Sequence, residues 1–227
     1  IYPYTYKSLP YNPAADFAPV SMVCWANHGL AVGPMVPATV KTLADFIAWA
    51  KANPKDAAFG SPAPGSIPHL IGATLAHLSG APLRHIPYRG SAQALTDLRG
   101  GTLAAHSSPV GQFLPHLASG QLRVLAVSGD ARSSFAPTVP TYKEQGFAIV
   151  AREWYGLFLH GKASAETVAR ANAAVRQVVT QPDFKEAIAQ FGLDPAVSST
   201  RELADMIRAD NEEWREHVKK IGFTAES

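Results

Sequence analysis

Residues 57–80, AAFGSPAPGSIPHLIGATLAHLSG, decide how this chain folds. The apolar run AAFGS (57–61) reads as a short buried strand. It gives way to a loop crowded with Gly60, Ser61, Pro62, Pro64, Gly65 and Ser66. Then Ile67, Leu70, Ile71, Leu75 and Leu78 recur at helical spacing over about 66–79, and Gly80 supplies the stop. A strand handed to a helix through a Gly/Ser loop is one half of a βαβ unit.

The same hand-over recurs downstream. LRHIPY (83–88) leads to a helix from Ser91 to Gly100-Gly101, and TLAAHSS (102–108) leads to a helix over about 111–119. LRVLAVSG (122–129) is a further strand. Strands alternating with helices of about ten residues predict an α/β fold with a mainly parallel sheet. Upstream, SMVCWANHGLAVGP (21–34) holds two apolar runs around Asn27-His28-Gly29 and reads as a bent strand or a strand pair. Val40, Leu43, Phe46, Ile47 and Ala50 mark a helix stopped by Asn53-Pro54. IVAREWYGLFLHG (149–161) is a long aromatic strand, followed by helices starting near Ser164, Pro182 and Thr200. A βαβ block flanked by two long apolar strands predicts two lobes joined by two crossings. Residues 1–33 with 141–227 form one lobe, and 34–140 the other.

Composition excludes several classes. The formal charge is +2 and no basic run occurs, which argues against nucleic acid as a partner. Cys24 is the single cysteine, so it closes no disulfide within the chain. No apolar stretch reaches the roughly 18–20 residues of a membrane span. The sequence starts at Ile1, and IYPYTYKSLPYNP lacks a secretory pattern. The expectation is a processed or cut chain whose targeting segment is not there to read.

Three strand-to-helix junctions share one design: GSPAPGSIPHL, PYRGSAQAL and HSSPVGQF. Helix N-termini present unpaired N–H groups and partial positive charge, so carboxylates and phosphates settle there. Serine hydroxyls add adjustable donors, and in an open α/β sheet such junctions line the carboxyl ends of the strands. Ser66 and Ser91 are also good N-caps, and a cap needs no ligand. The competing chemistries find no support. There is no G-x-S-x-G elbow, and Ser66 and His69 lie too close along the chain to serve as nucleophile and base. No Walker lysine follows the loop, and the eight histidines show no paired ligand spacing. The expectation is therefore a protein that is not an enzyme, with no metal and no cofactor. His69 could donate to an anion. Arg84 and Arg89 read as solvated or rim charges rather than ligand clamps, and Trp154 and Tyr155 as core, with the wall of a cleft as the alternative.

In order and spacing, DFAPVSMV, VPATVKTLADFIAWAKANP, FGSPAPGSIPHLIGATLAHLSG, HIPYRGSAQALTDLRGG, LPHLASGQLRVLAVSG, VPTYKEQGF and EWYGLFL resemble the Bug family. These are the periplasmic solute-binding receptors of tripartite tricarboxylate transporters. The resemblance implies a two-lobed, Venus-flytrap α/β protein that closes on a small carboxylate ligand and serves the transporter's membrane subunits or a sensor. Carried over residue by residue, it places ligand contacts at Ser61, Gly65, Ser66, Ile67 and His69 in the first loop. It adds Tyr88, Gly90 and Ser91 in the second and Ser107 and Ser108 in the third. Arg89 replaces a commoner lysine, Ile67 a commoner hydroxyl residue, and Ser107-Ser108 stand where many relatives carry an acid. The resemblance also implies a strand, glycine-rich loop and helix upstream of DFAPV, so the expectation is an incomplete first lobe whose bare sheet invites self-association. The alternative reading, from another class, is the effector-sensing domain of a cytoplasmic transcription regulator.

Overall fold

The computed structural model describes residues 1–223, so the last four residues of the 141–227 segment lie outside it. A single helical turn, α1 (Tyr2–Thr5), precedes a 16-residue strand, β1 (Phe17–Val32). There follow α2 (Leu43–Ala52), β2 (Ala58–Ser61), α3 (Ile67–Ser79), β3 (Arg84–Pro87) and α4 (Ser91–Gly100). Then come β4 (Ala105–Pro109), a short α5 (Leu114–Leu117) and β5 (Arg123–Val127). The rest holds β6 (Arg152–His160), α6 (Ala165–Val179), α7 (Pro182–Ala189), β7 (Leu193–Pro195) and α8 (Thr200–Lys220).

The chain parts into two compact units, residues 27–153 and residues 1–26 with 154 onward. The changeovers fall inside β1 and within the first residues of β6, rather than at 33/34 and 140/141. A continuous strand conceals such a point, because its side chains alternate in the same way on either side of it.

In the 27–153 unit the strand order is β3-β2-β4-β1-β5. β2 runs parallel to β3 and β4, while β1 is antiparallel to both β4 and β5. Four strands therefore point one way with β1 inserted against them, which is the mainly parallel sheet of the sequence reading. Asn27-His28-Gly29 does not break β1; the irregularity is a register shift at Leu30/Ala31 opposite β5. One core layer joins Leu30, Val32 and Phe59 to Leu43, Phe46, Ile71 and Leu75 of α2 and α3. The other joins Ala31, Ala58 and Leu103 to Leu98 of α4 and Phe113. The helix expected over 111–119 is instead a 3-10 turn (Val110–Gln112) followed by α5. Pro115 near the start of α5 has no N–H with which to continue the preceding turn.

In the other unit β6 and β7 both pair with β1, with Cys24 opposite Pro195 and Trp25 opposite Asp194. Ser21 Oγ donates to Met22 O and lies 3.0 Å from Ser198 O, and Asn172 Nδ2 donates to Val20 O and Ser198 O. Ser199 caps α8 in a capping box with Glu202, and Ser164 caps α6. Cys24 is buried. Phe17, Tyr155 and Leu157 are exposed on the strands of this unit, which corrects the reading of Tyr155 as core. Among the described residues no helix is long and apolar enough to cross a membrane.

Candidate anion-binding site

The loop between β2 and α3 is held by a closed set of hydrogen bonds. Gly65 sits at φ 69°, a left-handed conformation that glycine adopts without strain. Ser66 follows as the N-cap of α3, its Oγ accepting from the His69 N–H. The same Ser66 hydroxyl donates to Ala63 O at 2.7 Å, and the Ser61 hydroxyl donates to Ala63 O at 3.1 Å. Both hydroxyls thus lie within hydrogen-bond distance of one turn carbonyl. Pro68 has no N–H, so among the described residues Ile67 carries the terminal N–H of α3 that no protein acceptor takes.

Two imidazoles flank this loop. Gly65 N–H donates to His69 Nδ1 at 3.0 Å, which places the His69 ring proton on Nε2. His85 of β3 stacks on His69, and its Nε2 lies 2.8 Å from Ser61 Oγ. Burial pushes His69 down to about 4; burial and then the neighbouring His69 push His85 down to about 3. Both rings are neutral at ordinary pH. The sequence reading did not include His85. Its signal was strand parity: His85 is in register with Phe59 across β2 and β3, so its side chain shares the face on which α3 packs.

The second and third junctions meet each other. Ser91 is not the N-cap of α4; Gly90, at φ 95°, takes that place. A glycine there puts Ser91 one residue inside the helix, where its Oγ reaches Ser108 Oγ at 2.9 Å. Tyr88 OH donates to Asp97 Oδ2 at 2.8 Å, so this hydroxyl too is engaged within the protein. Ser107 and Ser108 point to opposite faces of β4, as alternation requires. Ser107 lies opposite Leu30 with its hydroxyl buried and lacking a partner among the described residues.

Two further buried imidazoles stand near the strand ends, and the sequence reading singled out neither. His106 Nδ1 faces Gly60 O at 3.0 Å, and burial holds the ring down to about 4. His28 is fully buried, lies 3.6 Å from Glu153 Oε2, and burial holds it down to about 3. Arg84 and Arg89 are exposed. The donors described around the β2–α3 loop are thus neutral dipoles, backbone N–H and imidazole N–H. Among the described residues no group of three His, Cys, Asp or Glu is placed to hold a metal ion.

The fold is that of the periplasmic binding proteins: the structure of the periplasmic binding protein BugD matches 99% of this chain and 75% of its own at TM-score 0.87, with 24% identity. Within that class the chain belongs to the tripartite tricarboxylate transporter family receptors, whose model matches residues 1–223. This is a family of receptors, not enzymes. BugT of Bordetella pertussis is 31% identical over 216 residues, covering 95% of this chain and 66% of that protein. An R. palustris protein solved with adipate is 26% identical at TM-score 0.89, covering 97% of this chain and 74% of its own. The chain spans about two thirds of the length of the curated relatives it matches.

Proposed function

We propose that this chain is the solute-binding part of a periplasmic receptor that captures a small carboxylate and presents it to the membrane subunits of a tripartite tricarboxylate-type transporter or to a sensor. The observation that carries this reading is the β2–α3 loop. It gathers the α3 N-terminus, the Ile67 N–H and the Nε2–H of His69 at the carboxyl end of a parallel strand, in a fold whose R. palustris relative was solved with adipate. Dipoles of this kind suit a carboxylate, because they stabilise negative charge without needing a fixed counter-ion. The remaining residues assigned from the resemblance act at one remove. Ser61 and Ser66 shape the loop, and Gly65 turns it. Gly90, Ser91 and Ser108 fix the neighbouring junction.

The test is isothermal titration of the full chain with adipate, shorter dicarboxylates, benzoate and an uncharged diol. Heat with at least one carboxylate and none with the diol is the expected result. In the carboxylate that binds, Ser66→Ala with His69→Ala lowers affinity by about tenfold or more, the loss of one charge-assisted hydrogen bond. No heat with any carboxylate overturns the reading.

A further inference from the structure

β1 and β4 run antiparallel with Leu30 opposite Ser107 and His28 opposite Pro109, so His28, Leu30 and Ser107 share one face of the sheet. Leu30 packs there with Phe59, Ile71 and Leu75, which makes it the face covered by α3. β2 and β4 are parallel with Gly60 beside His106, so Ser107 is the neighbour of Ser61 at the start of the anion-binding loop. Ser107 Oγ and both ring nitrogens of His28 are buried, and none has a hydrogen-bond partner among the described residues. Glu153 Oε2 stands 3.6 Å from His28 Nε2, beyond hydrogen-bond reach, and burial keeps the ring neutral. Tyr142 OH belongs to the same core layer and is buried without a partner too. Its backbone N–H donates to Val127 O, and Val127 pairs with Gly29, which brings Tyr142 level with His28 and Leu30. The unpartnered Nε2 of His106 lies on the opposite face, where its ring meets Phe113 edge-on.

A buried polar atom left without a partner is costly, and a native fold that keeps several on one face at one level has a reason to do so. The chemistry of these groups defines what satisfies them. A neutral imidazole offers one N–H and one lone pair, and a serine hydroxyl offers one O–H and two lone pairs. A carboxylate oxygen only accepts and brings a charge into an apolar layer, while a methylene does neither. A hydroxyl both donates and accepts, and it is neutral. We propose that Ser107 and His28 recognise a hydroxyl on the bound acid, so that the ligand is a hydroxycarboxylate. This rests on the carboxylate-receptor reading above: the β2–α3 loop holds the carboxylate, and the adjoining β4 and β1 read its substituent.

Calorimetry on the full chain tests this with pairs of acids that differ by one hydroxyl: lactate with propionate, malate with succinate, and 2-hydroxyadipate with adipate. In at least one pair the hydroxylated acid binds about tenfold more tightly or better. Ser107→Ala and His28→Leu each narrow that ratio to within about threefold. Ser107→Cys, which keeps the volume but hydrogen-bonds weakly, narrows it as well. Equal affinity within every pair that binds overturns the proposal. So does a ratio that survives in folded Ser107→Ala, with both acids weakened alike, which is the behaviour of side chains that hold an ordered water. If His28→Leu does not fold by circular dichroism, the two Ser107 variants decide. Silence from all six acids defeats the carboxylate reading itself, and this proposal with it; binding without preference for the hydroxyl overturns this proposal alone.

Discussion

The hydroxyls of Ser91 and Ser108 meet at 2.9 Å, joining the first residue of α4 to the end of β4. Ser108 is fully buried, so removing its partner leaves a polar group without water to replace it. Ser91→Ala and Ser108→Ala are each expected to cost about 1 kcal/mol. The double variant should cost little more than either single one, giving a coupling of about 0.5–1 kcal/mol. Urea unfolding of the four proteins reads this directly, and strictly additive losses would show that the two hydroxyls act independently.

Stability should fall as the pH drops below neutrality. His28 and His106 are fully buried and held down by desolvation, to about 3 and about 4, from an unfolded value near 6.5. The unfolded chain therefore takes up protons before the folded one does, and their contribution is complete only above about pH 6.5. Between there and about pH 4, each should remove about 1.4 kcal/mol per pH unit at the steepest. Denaturation midpoints measured across this window should shift downward, and His28→Asn should flatten the slope. A midpoint independent of pH would mean that these rings accept protons in place.

Gly72 is the point at which α3 presses on β2. A Cβ built there would lie 2.2 Å from Phe59 Cε2, and Phe59 is buried with no open side into which to retreat. Gly72→Ala should cost about 1–3 kcal/mol despite the better helix propensity of alanine. Because Phe59 flanks His69 and His85, the same substitution should also disturb their side-chain resonances. A melting temperature equal to wild type would refute the close approach.

The parts of the fold that were legible in sequence are those set by neighbours along the chain. The start of α3 at Ser66 and its end at Gly80 follow from residues within one turn of each boundary. The same holds for Ser164 before α6. What was not legible depends on register. Asn27-His28-Gly29 looks like a break, yet β4 and β5 pair with His28–Val32 and carry the strand through. Ser91 has the chemistry of a cap, yet the left-handed Gly90 displaces it, and only the position of β4 shows where its hydroxyl goes. The sequence places several hydroxyls in the loop, but which carbonyl each of them meets depends on how the turn closes. Ala63, an alanine with nothing to single it out, supplies the carbonyl that lies within hydrogen-bond distance of both serine hydroxyls.

β1 carries a last consequence. In its first half the Ser21 hydroxyl lies within hydrogen-bond distance of the Ser198 carbonyl, a residue 177 positions further on, and Cys24–Ala26 pair with Leu193–Pro195. A ribosome releases the chain from its N-terminal end, so this half of the strand emerges long before the residues that will hydrogen-bond it. Until β7 and the start of α8 are made, the backbone groups of Cys24–Ala26 that pair with β7 lack those partners, and closing so long a loop is slow. The hazard for this molecule is therefore one of timing, and it lies in the interval between synthesis of β1 and arrival of β7.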